Sequence, residues 1–254
     1  MNRIAGALKV AVLVLPLTLA QVSAVQAAEI KVLCSTALRT VMQELVPQFE
    51  RATGHKVVIE YGVSAAMQRQ VEAGAEFDAI FLTAKQLDAL VQEGKIAPGT
   101  RTAIARSGMG IAIHAGAARP DIKTIDALKR TVLAAKSIAY AKEGAAGVYF
   151  IALAKRLGVV EQLKLKGADS GDAVAEAVAS GAAELGILPV SEILPVKGVE
   201  LLGEFPKDVQ EYAVMVGGVS VGAKQASLAK ELIKFATAPA AVPVIRKKGM
   251  EPER

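Results

Sequence analysis

The sequence predicts an α/β protein whose sheet is parallel and covered by helices on both faces. Two observations predict it. Short β-branched runs alternate with segments whose apolar residues recur at helical spacing, and helices begin directly after strands on small or hydroxyl-bearing residues. A third observation makes a packed core feasible: 52% of the chain is apolar and 22% charged, with Ala, Val, Leu and Ile dominating.

In chain order, residues 30–34 form a β-branched run. Leu38, Val41, Met42, Leu45, Val46 and Phe49 then repeat at helical spacing, with Gly54 as the stop and Pro47 as an expected kink. Residues 56–61 predict the next strand. Ser64 is the expected cap of a helix over 65–73, and Gly74 ends it. A strand at 78–82 leads through Thr83 into a helix over 84–93. The order is β-α-β-α-β-α, the pattern of a parallel sheet.

Beyond Ala105 the texture changes. A strand is expected at 108–113, a helix over 125–134 capped by Thr124, a strand at 137–140, and a helix that follows a Gly-Ala stretch and stops at Gly158. A helix over 172–180, a strand at 185–188, a long strand at 211–221 and helices over 225–236 and 240–248, parted by Pro239, complete the pattern.

The first 27 residues read as a secretory leader: Arg3 and Lys9 precede an apolar run of 11 residues at 10–20, and Val25-Gln26-Ala27 suits cleavage. About 20 residues would be needed to cross a bilayer. Removing 27 of the 254 residues leaves 227, enough for two lobes of about 100 each, and lowers the formal charge from +5 to +3. Periplasmic residence is the expectation. No basic cluster interleaves with aromatics, so nucleic acid is not an expected partner. Cys34 is the lone cysteine, expected as a buried hydrophobe, and His55 and His114 lack metal-ligand spacing, so neither metal nor cofactor is expected.

Four junctions share one design: Ser35-Thr36-Ala37, Val63-Ser64-Ala65, Gly144-Ala145-Ala146-Gly147 and Ser170-Gly171-Asp172. Each puts small residues at a helix start, where unpaired N–H groups and the helix dipole attract anions. A serine there is also an ordinary cap, so the argument rests on the four together. Motifs of hydrolases, phosphate-binding loops, zinc proteases and dinucleotide sites are missing.

Ile30-Lys31-Val32, the run RQVEAGA at 69–75 followed by Asp78, and Leu185-Gly186-Ile187 resemble the periplasmic molybdate-binding protein family. Gly203-Glu204-Phe205-Pro206 ahead of a Tyr-Ala-Val strand fits the same pattern. The resemblance implies a type II periplasmic binding protein, with two α/β lobes joined by two crossovers and a ligand cleft between them. It implies lobes at 28–106 plus 213–254 and at 107–212, and a monomer that hands a small anion to the membrane subunits of an ABC importer. The family's oxyanion-binding positions fall on Ala37, Ser64, Ala146, Gly171 and Pro189. Ser64 and Ala146 keep the family's donors. The other three do not, although Ser35 and Thr36 stand beside Ala37.

That loss turns the expectation from molybdate toward an organic polyanion. Arg39 stands in the first turn of its helix, where a cation opposes the dipole; it is either a solvated surface residue or a two-pronged grip on a ligand carboxylate. Lys142 and Tyr149 are further candidates, as is Arg69, for which a solvated helix face is the alternative. Residues 126–130, Ser137-Ile138-Ala139-Tyr140, Gly147-Val148-Tyr149, Arg156-Leu157-Gly158 and the run SEILPV at 191–196 resemble a subgroup of this fold that includes periplasmic aconitate isomerase. Import is the first expectation. The alternative is an isomerase moving a proton within a tricarboxylate, with Glu143 and Tyr149 as its candidate acid and base.

Overall fold

The computed structural model describes residues 27–253. The expected leader lies outside them but for its last residue. Among the described residues no helix is long and apolar enough to cross a membrane.

The first half follows the expected alternation: β1 (Glu29–Ser35), α1 (Arg39–Thr53), β2 (Lys56–Gly62), α2 (Ser64–Glu72), β3 (Ala79–Thr83) and α3 (Ala84–Gln92). A 3-10 turn, Thr36–Leu38, sits between β1 and α1. β1 pairs in parallel with β2 on one side and β3 on the other. α1 forms because its apolar residues line one face; Val41, Met42, Leu45, Val46 and Phe49 are buried on it. It runs through Pro47 and ends at Gly54, whose φ of 73° favours glycine. Phe49 meets Phe235 edge-on at 5.6 Å. Each fully buried side chain of this size contributes about 1.5–3 kcal/mol, and Leu45→Ala would open a cavity costing about 2–5 kcal/mol.

Then come β4 (Thr102–His114), α4 (Ile125–Ala134), β5 (Ile138–Ala141), α5 (Ala145–Arg156), β6 (Leu165–Ala168), α6 (Gly171–Ala179), β7 (Leu185–Pro189), α7 (Val190–Ile193) and β8 (Val199–Glu204). β9 (Tyr212–Val219), α8 (Ala226–Thr237), α9 (Val242–Lys247) and β10 (Glu251–Pro252) end the chain. The expected strand at 108–113 is only the second half of β4. Its first half pairs antiparallel with β9, from Thr102 opposite Gly217 to Gly108 opposite Tyr212, and β9 in turn pairs with β3. Its second half pairs with β7 and β8. β5 lies parallel to β7 and β6. The long strand β4 thus belongs to two sheets, and the path reads β2-β1-β3-β9-β4-β7-β5-β6.

Thr124 caps α4 as expected, its hydroxyl accepting from the Ala127 N–H at 3.1 Å. Ser64 does not cap α2. Val63 holds the cap position, and the Ser64 hydroxyl instead accepts from the Thr83 N–H at 3.1 Å, tying the start of α2 to the end of β3.

Candidate functional site

Strands that run parallel deliver their following helices to one end of a sheet, so helix starts collect there. Here the starts from both sheets surround one cavity of about 700 Å³. Ser35, Thr36 and Ser64 line it from the first sheet, and Gly144, Ala146 and Gly171 from the second. A fifth start, Thr83-Ala84-Lys85-Gln86 on α3, also lines it. The wall between them is apolar where Met109, Ile187, Leu188, Pro189 and Val214 meet the cavity.

Of the sequence candidates, Ser35, Thr36, Ser64, Lys142, Ala146, Tyr149 and Gly171 are brought to the wall, and Arg39 and Ser170 are not. The Ser170 hydroxyl accepts from the Ala173 N–H at 3.2 Å as the cap of α6. Arg39 Nη1 donates to both oxygens of Asp172, at 2.9 and 2.7 Å, and its guanidinium lies 5.4 Å from the centre of the Tyr61 ring. Arg39 thereby ties α1 to the first turn of α6. Lys142 Nζ donates to Asp169 at 2.9 Å. Arg69 donates to both oxygens of Glu143, at 3.1 and 2.7 Å. Among the described residues Lys85 has no ion-pair partner.

The expected acid and base are otherwise engaged. The Arg69 guanidinium holds the Glu143 carboxyl below the usual carboxylate range, so it is ionised at neutral pH. The Tyr149 hydroxyl donates to the Val209 carbonyl at 2.7 Å. The group suited to exchanging a proton is one the sequence did not single out, Glu192. It stands on α7, the short helix that follows β7, and lines the cavity. Burial pushes its carboxyl from 4.5 up to about 7. The hydrogen bond from Thr36 opposes the rise, the charge of Asp172 adds to it, and that of Arg39 opposes it. The side chain keeps some surface on the cavity, yet the carboxyl itself is desolvated.

Thr36 Oγ1 donates to Glu192 Oε1 at 3.0 Å. Glu192 Oε2 lies over the first residue of α6. A Cβ on Gly171 would collide with that oxygen and stand 3.0 Å from Cδ, so glycine is what lets the carboxyl settle there. Gly147 serves the neighbouring helix start in the same way: a Cβ there would overlap the Ala141 carbonyl oxygen and stand 3.0 Å from its carbon.

Two layered α/β sheets sharing β4, with helix starts converging on the cavity between them, define a type II periplasmic binding protein. The molybdate-binding protein of Azotobacter vinelandii has this fold, superposing with a TM-score of 0.76 at 22% identity over 89% of this chain and all of that one. The chain belongs to the bacterial extracellular solute-binding protein family, whose profile matches residues 30–251. Among curated relatives, an aconitate isomerase from a Pseudomonas species is 28% identical over 228 residues, 87% of each chain. The molybdate-binding protein ModA of Azotobacter vinelandii is 29% identical over 237 residues, 89% of this chain and 91% of that one.

Proposed function

We propose that this protein is the periplasmic solute-binding component of an ABC-type importer, and that its solute is a small organic polyanion, a di- or tricarboxylate in preference to molybdate. The observation that carries the reading is the composition of the cavity. Helix starts and hydroxyls supply neutral donors for charged oxygens, while the apolar wall of Met109, Ile187, Leu188 and Pro189 suits a carbon skeleton. Pro189, at a wall position where a tetrahedral metal oxyanion would need a donor, offers it no N–H. We take 28–106 with 213–254 as one closing lobe and 107–212 as the other, because β4 changes partners from β9 to β7 at Gly108–Met109.

Thermal-shift screening tests this directly. A ligand at about 100 times its Kd stabilises by about 2.7 kcal/mol, which raises Tm by about 5–10 °C in a chain of this size. Di- or tricarboxylates should give such shifts and molybdate, tungstate and sulfate should not; the reverse result overturns the choice of ligand.

Glu192 favours a second reading, an isomerase on the same scaffold. A carboxyl near neutrality inside a ligand cavity can both give and take a proton, and one curated relative bears the name aconitate isomerase. Incubation with cis-aconitate, following the trans isomer by chromatography, decides it: no conversion above a protein-free control removes this reading and leaves the first intact.

A further inference from the structure

We infer that Glu192 couples anion binding to proton uptake, the ligand entering with Glu192 neutral and its Oε2–H donating to a ligand oxygen. The inference rests on the anion reading of the cavity. Its ground is the orientation of the carboxyl. Thr36 Oγ1 already donates to Oε1, so that oxygen remains an acceptor in either protonation state. Oε2 makes no hydrogen bond among the described residues and lies over Gly171 at the cavity wall. The proton therefore belongs on Oε2, the oxygen that a ligand would meet.

The surrounding charges do not neutralise Glu192 by other means. From α1, Arg39 is turned to Asp172, and Asp172 on α6 is itself an acid. β7 carries no titratable side chain. β8 carries Glu200 and Glu204, held by Arg119 and Gln210. β4 carries Arg106, tied to Glu251, and His114, whose Nδ1 bonds the Ala115 carbonyl. With Arg39 only partly offsetting its charge, Lys85 and Lys142 elsewhere on the wall and Asp172 adding to it, an ionised Glu192 would face an incoming anion as a like charge. A neutral one adds a donor to those of the helix starts. Burial already brings the carboxyl up to about 7, and a bound anion that raises it by about two further units keeps the proton on through pH 8.

Fumarate and molybdate are suitable probes, since both remain dianions from about pH 6 upward. Titration calorimetry at about pH 6, 7 and 8, in buffers of differing ionisation enthalpy, reads affinity and protons together. The affinity of the wild type for whichever dianion binds should weaken about tenfold from pH 6 to pH 8, one decade per pH unit above the carboxyl's own value, with nearly one proton taken up per ligand at pH 8. Glu192→Gln, which keeps an acceptor for Thr36, should hold the pH 6 affinity throughout and take up none. Binding with a flat profile and no proton uptake in the wild type overturns this inference alone. Equal proton uptake in wild type and Glu192→Gln does the same, by assigning the proton elsewhere. If neither these dianions nor citrate binds at any pH, the anion reading fails and this inference with it.

Discussion

Glu192 should also govern how stability depends on pH, and this can be measured without any ligand. In the unfolded chain its carboxyl titrates at 4.5, and in the folded protein at about 7. The folded state therefore holds the proton more tightly, and between these values it binds more protons than the unfolded state. Stability falls as pH rises through this window and levels off above it. The interval corresponds to about 3 kcal/mol at 1.36 kcal/mol per unit, and the surface that Glu192 keeps on the cavity brings the expectation to about 2–3 kcal/mol. Glu192→Gln removes the charge and keeps the acceptor for Thr36 Oγ1. Near pH 4 both proteins should melt together. Near pH 8 the variant should melt about 5–10 °C higher, at about 2–4 °C per kcal/mol for a chain of this size. Coincident melting at pH 8, or an equal gap at both pH values, would refute the claim that Glu192 is a desolvated carboxyl.

Gly171→Ala should leave stability within about 1 kcal/mol of the wild type, since the added methyl meets only side-chain ends, the Glu192 carboxyl and Leu188 Cδ2 at 3.3 Å, and alanine reduces the freedom of the unfolded chain; proton uptake on ligand binding should change as the carboxyl is displaced, and calorimetry reads both. Gly147→Ala puts its methyl on the backbone of Ala141 instead, and should cost about 1–3 kcal/mol or more by urea unfolding. Arg39→Ala removes a pair whose Asp172 side chain is 64% exposed, worth about 0.2–1 kcal/mol. Ligand affinity should therefore change less than about fivefold, and a hundredfold loss would return Arg39 to the role of carboxylate grip.

The first three strand–helix units were legible because both of their periods are clean. β1 and β3 are nearly continuous buried runs, as central parallel strands should be, and α1 shows one apolar face. β4 was half hidden because Arg106 and Ser107 interrupt its apolar pattern at the point where it passes between sheets. Arg106 is tied to Glu251 on β10, and Ser107 is fully buried, its hydroxyl accepting from the Ser191 N–H at 3.1 Å. Neither partner can be inferred from neighbours in sequence. β6 and β8 escaped notice as strands with a glycine each and little full burial. The junction design located four of the helix starts on the cavity wall, because helix starts after parallel strands gather by topology alone. It missed Glu192 because in sequence that residue is an acid in the first turn of a helix, an ordinary stabilising choice. Only the third dimension sets its carboxyl against Thr36, 156 positions away. The available signal was its place three residues beyond Pro189, just past the carboxyl end of β7 where cleft residues collect.

Three of the cations around the cavity are already engaged, which favours neutral donors, with Lys85 on the wall as the cation left unpaired among the described residues. Arg39, Arg69 and Lys142 each hold a carboxylate, on Asp172, Glu143 and Asp169. Two of these pairs, and the Thr36–Glu192 bond, join an element of the β1–β3 half to one of the β5–β7 half. The pairs are partly exposed, so each contributes at most about 1 kcal/mol to holding the halves together. A ligand that borrowed a guanidinium would break such a bond and gain little net, since one charged contact would replace another. Amides at the starts of α2, α5 and α6 carry no such debt. They are fixed by their helices, need no reordering to receive an oxygen, and lose only water. The cleft therefore gains most by adding its ligand to the existing ion pairs rather than in exchange for them. Under that condition the protonation state of Glu192, a wall acid without a cation bound to it, changes by one unit the charge that an anion meets.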